Sequence, residues 1–405
     1  MTMDELLHRF NPWWSGSYRL PGIPRERYLS IMAGLKGTRD IVLLTGLRRV
    51  GKTTLMHQLI SRLLGEVDAN RIFYVSLDHL ALRNRTILEI VEAFRRLRGL
   101  RHDDAAYLFL DEVHLKRDFE VQLKNIYDEG HAKVFASGSS SLDIVMRSPL
   151  LTGRQRLIRL PPLDYLEFLK FSARNVRPSD SHLHARYAED YLRTGGIPEF
   201  VRTGDHNYLQ SLVDSVLHRD IAARHNLRNR EQLADILAFL AQGVGSPLGD
   251  RKISRVLGVP VQSVGRTIDL LIEANLVHAI EKEGKLAERK GSPAKVYLAD
   301  TGLFQVLTEN VNLGAMAENL VFLAIGGDRP PRYHRSNGLE VDFVRGAEAW
   351  ESKYKSVIGE DDLRPLLRLK AFKRKVLVTK DSGGTRGGVR LVPLWKFLLG
   401  AAGGG

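Results

Sequence analysis

The apolar positions of the chain fall into short unbroken runs separated by amphipathic stretches. Residues 41–45, Ile-Val-Leu-Leu-Thr, form such a run and end at glycine-rich sequence. A run of this length, bounded by turn residues, predicts a strand buried on both faces. Helical spacing follows from Lys52 to Leu64. Further strand-like runs occupy 71–77, 107–110 and 133–137, alternating with helical patterns at 85–98 and 115–129. Strands alternating with helices predict a parallel sheet covered on both faces.

Beyond this α/β region the pattern changes. Residues 163–228 read as helical, interrupted by Gly195-Gly196-Ile197-Pro198. Three short helical patterns follow, at 231–242, 251–257 and 261–274. Two strand candidates, 276–282 and 294–299, come next, joined by a loop rich in Lys, Glu and Gly. Three helices followed by a hairpin are the plan of a winged helix-turn-helix. From Leu313 onward the pattern predicts a helix at 314–325 and strands near 331–335, 339–344 and 348–354. A helix at 361–371 and a strand at 375–379 complete it. The terminal Gly-Ala-Ala-Gly-Gly-Gly is expected to fray. No internal repeat is visible. The domain reading is 1–162, 163–230, 231–312 and 313–405.

Composition narrows the classes. A chain of 405 residues has room for two to four domains at about 100–200 residues each. The formal charge of +13 favours a polyanionic partner, nucleic acid before an acidic membrane. The plain alternative is a surface made basic for solubility. There is no cysteine, which excludes disulfides, thiolate metal sites and cysteine nucleophiles. That absence fits a reducing interior, or a hot one that avoids thermolabile residues. No apolar run approaches the roughly 20 residues that span a bilayer. The N-terminal Met-Thr-Met-Asp-Glu-Leu-Leu carries acids where a signal peptide carries basic residues. A cytoplasmic protein without membrane contact is expected.

The chemistry is most legible after the first strand. Gly46-Leu47-Arg48-Arg49-Val50-Gly51-Lys52-Thr53, with Thr54 behind it, fits G-x-x-x-x-G-K-[ST] between a strand and a helix. Its glycines let backbone N–H groups face phosphates, and the helix N-terminus adds positive charge. Lys52 is expected to reach the β- and γ-phosphates of ATP, and Thr53 to ligate Mg²⁺. The apolar strand Leu108-Phe109-Leu110 delivers Asp111 to the metal and Glu112 to the hydrolytic water. Ser137, at the tip of the next strand, either holds that water or the γ-phosphate, or caps the following helix. Of Arg147, Arg154 and Arg156, the turn-like setting of Arg154 makes it the preferred arginine finger, presented across a subunit boundary in a homo-oligomer.

These motifs, together with Leu-Phe-Leu-Asp-Glu-Val-His, Ala-Ser-Gly-Ser-Ser-Ser, the segment from Leu151 to Leu169 and Gly195-Gly196-Ile197-Pro198-Glu199-Phe200-Val201, resemble AAA-type ATPases of archaea and bacteria whose tails carry a domain of unknown function. The resemblance covers roughly residues 11–380. It implies an AAA+-like P-loop sheet with a helical lid. Where that family usually has Pro-Leu-Ser-Phe, this chain has Pro162-Leu163-Asp164-Tyr165, which is expected to be packing variation.

Two further regions carry candidate chemistry. Gln262, Ser263 and Arg266 on the expected recognition helix, with Arg251, Lys252 and Arg255 before it and Lys282, Lys285, Arg289 and Lys290 on the wing, suit phosphates and base edges of DNA. The alternative is a winged helix used for protein packing. In the tail, Asp342 lies on one expected strand and Glu351-Ser352-Lys353 on the next. Residues two apart in a strand share a face, so Glu351 and Lys353 point the same way and a hairpin brings Asp342 beside them. This resembles the core of restriction-endonuclease-like nucleases, an α/β fold. The resemblance implies that Asp342, Glu351 and Glu318 hold Mg²⁺ or Mn²⁺ while Lys353 activates water. Many such domains persist as inactive folds. The reading that follows is ATP-dependent remodelling or translocation on DNA with an attached nuclease. The alternative is a nucleotide-switched regulatory ATPase whose tail only binds partners.

Overall fold

A computed structural model describes residues 2–16, 18–138, 150–225, 227, 229–327, 329–336 and 338–403. It divides into two compact units, residues 1–161 and 162–405.

The first unit is built on a five-stranded, all-parallel sheet: β1 (Ile41–Thr45), β2 (Ile72–Ser76), β3 (Ala106–Asp111), β4 (Ala132–Ser137) and β5 (Gln155–Arg159), ordered β2-β3-β4-β1-β5. Helices α1 (Met3–Phe10), α2 (Glu26–Gly34), α3 (Lys52–Leu63), α4 (Ile87–Leu97) and α5 (Phe119–Glu129) accompany it. Strands β1 to β4 are largely apolar because helices cover both faces, and β1 is buried throughout, whereas the edge strand β5 is Gln-Arg-Leu-Ile-Arg. Phe73 stacks on Phe94 at 4.5 Å and Phe109 on Phe135 at 5.0 Å. Parallel pairing aligns the C-terminal ends of β1, β3 and β4, so Leu44 lies opposite Ser137 and Leu110 opposite Ala136.

The N-terminal segment does work that its composition did not announce. β2 is an edge strand, and an edge leaves backbone groups unpaired. Asn11 answers both groups of Tyr74: its Nδ2 donates to Tyr74 O at 2.9 Å, and its Oδ1 accepts from Tyr74 N at 2.7 Å. The Trp13 and Trp14 indoles each donate to Ile72 O at 3.1 Å.

The second unit opens with helices α6 (Tyr165–Phe171), α7 (Leu183–Thr194), α8 (Pro198–Thr203) and α9 (His206–Ser215), followed by a π-helical turn, Val216–Ala222. Next come α10 (Glu231–Gln242), β6 (Pro247–Leu248), α11 (Asp250–Leu257), α12 (Val261–Glu273), β7 (Val277–Ile280) and β8 (Ala294–Leu298). The antiparallel sheet β6-β8-β7 joins them. The loop between β7 and β8 contains a short helix, α13 (Leu286–Gly291), where the composition suggested none. After α14 (Phe304–Leu307) and α15 (Leu313–Ile325) comes a six-stranded sheet: β9 (Arg332–Ser336), β10 (Leu339–Arg345), β11 (Glu348–Lys353), β12 (Arg374–Thr379), β13 (Gly384–Arg386) and β14 (Val389–Pro393), in the order β13-β14-β12-β11-β10-β9. Helix α16 (Glu360–Arg368) precedes β12, and α17 (Leu394–Gly403) follows β14. Of the terminal Gly-Ala-Ala-Gly-Gly-Gly expected to fray, the first four residues close α17, which runs to Gly403 with Leu394 and Leu398 buried, and residues 404–405 lie outside the described residues.

Candidate functional site

The loop after β1 is shaped by two glycines. At Gly46 a Cβ would stand 2.2 Å from Leu160 O, and φ is +143°; no other residue fits that approach. Gly51 sits at φ +97° immediately before α3. The first turn of α3 carries no side-chain cap, and the start of a helix favours an anion held by the loop before it. Leu47 and Val50 are buried, and Arg49 takes a left-handed φ of 67°. Thr54 turns its methyl toward Gly22. The Arg25 guanidinium spans the loop's flank, donating to Val50 O at 3.2 Å and to Pro161 O at 2.8 Å.

The register of the sheet then brings the chemistry together. Lys52 is buried, and its Nζ donates to Gly46 O at 2.8 Å and Leu47 O at 3.1 Å. The Asp111 carboxylate, 3% exposed, accepts three hydroxyls. Thr53 Oγ1 donates to Oδ2 at 2.6 Å, Tyr74 OH donates to the same oxygen at 3.0 Å, and the Ser137 hydroxyl donates to Oδ1. Glu112 N lies 3.4 Å from Ser137 Oγ. Glu112 itself has φ 58° and ψ 43°, a left-handed conformation that non-glycine residues rarely adopt and that concentrates at functional sites. Its Oε2 is 3.3 Å from His114 Nδ1. Burial first, and Asp111 second, hold the Tyr74 phenol well above its ordinary range. Behind it, Tyr18 OH lies 2.6 Å from His57 Nδ1, and the His57 ring is 4.3 Å from that of Tyr74. Burial pulls His57 below its usual value, while the Asp111 charge opposes the shift.

A glycine-shaped cradle, a lysine folded onto its carbonyls, and a hydroxyl beside a buried carboxylate form a hard-oxygen donor set that suits Mg²⁺ and phosphate. Residues 38–169 match a family described as an AAA domain, and residues 185–314 match one described as a domain of unknown function. The first stretch is therefore similar to AAA domains. An uncharacterized protein of Methanocaldococcus jannaschii is 23% identical over 89% of this chain and 88% of its own length. One of Haemophilus influenzae is 25% identical over 88% and 93%. The Walker-type ATPase of Pyrococcus abyssi is similar in structure with a TM-score of 0.42 and 16% identity, over 70% of this chain and 95% of that one.

The arginines distribute differently from the motif. Gln155 lies opposite Ile41 and Arg159 opposite Thr45, so Arg154 stands at the end of the sheet away from the loop. There its Nε is 3.6 Å from Asp128 Oδ1, and its guanidinium lies over the Tyr127 ring. Arg156 pairs with Asp40 at 2.9 Å. Arg147 lies outside the described residues. Arg159, at the loop end of β5, went unnoticed because only the strand register reveals its place.

In the tail the hairpin β10–β11 sets Asp342 beside Glu351. Asp342 N donates to Glu351 Oε2 at 3.1 Å, Ser352 N donates to Asp342 Oδ2 at 3.0 Å, and Lys353 Nζ donates to Glu351 Oε1 at 2.7 Å. The pairing of β10 with β9 shifts register between Val341 and Val344, a bulge of the kind that re-aims side chains. Glu318, from α15, joins them, but so does a residue the sequence reading missed. Lys295, 1% exposed on β8, places its ammonium 2.9 Å from Glu340, 3.1 Å from Asp342 and 3.4 Å from Glu318. Burial, then Asp342, pushes Glu318 up to about 8 and Glu351 up to about 7. Among the described residues no group of three or more histidines or carboxylates is arranged to hold a metal ion. Of the residues expected to hold a metal, Asp342, Glu351 and Glu318, the Lys295 ammonium contacts Asp342 and Glu318, while Glu351 is bonded by Lys353 and Asp342 N. The overlooked signal was a lysine inside the apolar strand Ala294-Lys295-Val296-Tyr297-Leu298.

Proposed function

We propose that the chain hydrolyses ATP at the P-loop and couples turnover to DNA. The observation that carries this reading is the hydrogen bond from Thr53 to Asp111 at the C-terminal end of the sheet, beside a loop only glycine can form. The loop amides and the start of α3 bind the phosphates. Lys52 leaves Gly46 and Leu47 carbonyls to meet the β- and γ-oxygens. Thr53 and Asp111 hold Mg²⁺, which when bound neutralises charge on the transferring phosphoryl group. Tyr74 and Ser137 fix the Asp111 carboxylate, and Glu112 orients water and takes its proton. Arg154, remote from its own loop, serves as a finger only toward a second copy in a homo-oligomer; Arg159 is the candidate within one chain.

The DNA half of the reading rests on the helix pair α11–α12, read as a winged helix. Arg251, Lys252, Arg255, Gln262 and Arg266 are exposed there. The wing contributes less charge than its composition suggests, because Arg289 and Lys290 both bond Glu281. A second reading, docking of a protein on the same face, is favoured by Val256 and Val261, which are 58% and 42% exposed. The tail is read as a non-cutting domain. Duplex DNA should raise the ATPase rate several-fold, and Arg251→Ala/Arg255→Ala/Arg266→Ala should lose that stimulation while keeping basal turnover. An ATPase indifferent to DNA in wild type transfers the face to a protein partner.

A further inference from the structure

The nuclease resemblance implies a divalent ion among the tail carboxylates, and the residues present do not fit one. An ammonium has three N–H donors, and Lys295 has three carboxylates around it, from Glu318, Glu340 and Asp342. Further donors crowd the same carboxylates. Tyr297 OH donates to Glu318 Oε1 at 2.8 Å, Ser352 N to Asp342 Oδ2, and Arg335 Nε stands 3.6 Å from Glu340 Oε2. Glu351 is taken by Lys353 and by Asp342 N. Gly245 closes one side: a Cβ there would lie 2.7 Å from both Glu318 oxygens. A divalent ion asks for about six oxygens at roughly 2.0–2.6 Å, and here the converging oxygens already surround a nitrogen.

We propose that Lys295 is the resident cation of this cluster, standing in for a divalent metal and joining strand β8 to strand β10. Its carbon stem is buried and covalently anchored, so the positive charge cannot be diluted or chelated away. The cluster is then a structural bolt, and the tail needs neither Mg²⁺ nor Mn²⁺. This holds whether or not the P-loop turns over ATP.

Manganese titration of nucleotide-free protein, followed by electron paramagnetic resonance, tests it. Wild type and Asp342→Asn should bind the same number of Mn²⁺ ions per chain. Lys295→Ala should lose several degrees of Tm, since it strands buried carboxylates, and should gain one Mn²⁺ that raises Tm and disappears in Lys295→Ala/Asp342→Asn. A wild type that binds one Mn²⁺ more than Asp342→Asn overturns the proposal, even if Lys295→Ala fails to fold. A folded Lys295→Ala with unchanged Tm and no added Mn²⁺ overturns it too.

Discussion

At the scale of single residues, the nucleotide site concentrates function on groups with little freedom. Lys52 is buried and donates to two carbonyls of its own loop, so Lys52→Ala removes a positive charge held inside the cradle. Its ATPase kcat should fall at least about 100-fold, the usual effect of losing one preorganised charge stabiliser, as read by phosphate release. Glu112→Gln should keep ATP bound and stop turnover; wild-type turnover in either variant would refute the assigned roles. Lys52, Thr53, Asp111 and Glu112 were legible because their spacing is fixed by the chemistry of phosphate. Tyr74 and Lys295 were not. Both sit in strands whose apolar neighbours read as core, and only the pairing of strands distant in sequence reveals what their polar ends meet.

At the scale of elements, the second unit is clamped by a buried aspartate. Asp300, 2% exposed, accepts Gly196 N at 2.6 Å and Gly302 N at 2.8 Å. Gly195 lies so close that a Cβ would meet Asp300 Oδ1 at 1.9 Å, which gives the Gly195-Gly196 break in the helical run its physical reason. Burial pushes the Asp300 carboxyl up to about 7 against the two amides. The folded chain therefore holds a proton where an unfolded aspartate, near 3.8, has lost it. Its contribution to stability is full below pH 4 and is lost as pH rises through 7. The Tm of wild type minus that of Asp300→Asn should shrink between pH 4 and pH 7; a constant difference would count against it. The parallel sheet was readable from its alternation, whereas β13, β14 and α17 were not. Glycines at 383, 384, 387 and 388 and the Gly-Ala ending read as coil on propensity, yet packing of Leu391, Leu394 and Leu398 overrides a cost of about 1 kcal/mol per glycine.

At the scale of the whole molecule, charge and chain division set the behaviour. Among the described residues no helix is long and apolar enough to cross a membrane. On the proposed function, the excess of 60 Lys and Arg over 47 Asp and Glu makes DNA association electrostatic. If Arg251, Lys252, Arg255 and Arg266 each neutralise one phosphate, log Kd against log salt should have a slope of magnitude about 4, near 0.9 per contact. Removing Arg251 and Arg255 should lower it by about 2, and an unchanged slope would place the duplex elsewhere. The last feature is the pair of ties at the P-loop, where Gly46 abuts Leu160 and Arg25 bonds both Val50 and Pro161. In mechanical terms these make the loop and the end of the first unit one crank. The load runs through backbone, from the glycine turn to Leu160 and Pro161. Slack introduced at Gly46 or Arg25 would therefore reach residues 160 and 161 as directly as it reaches the loop.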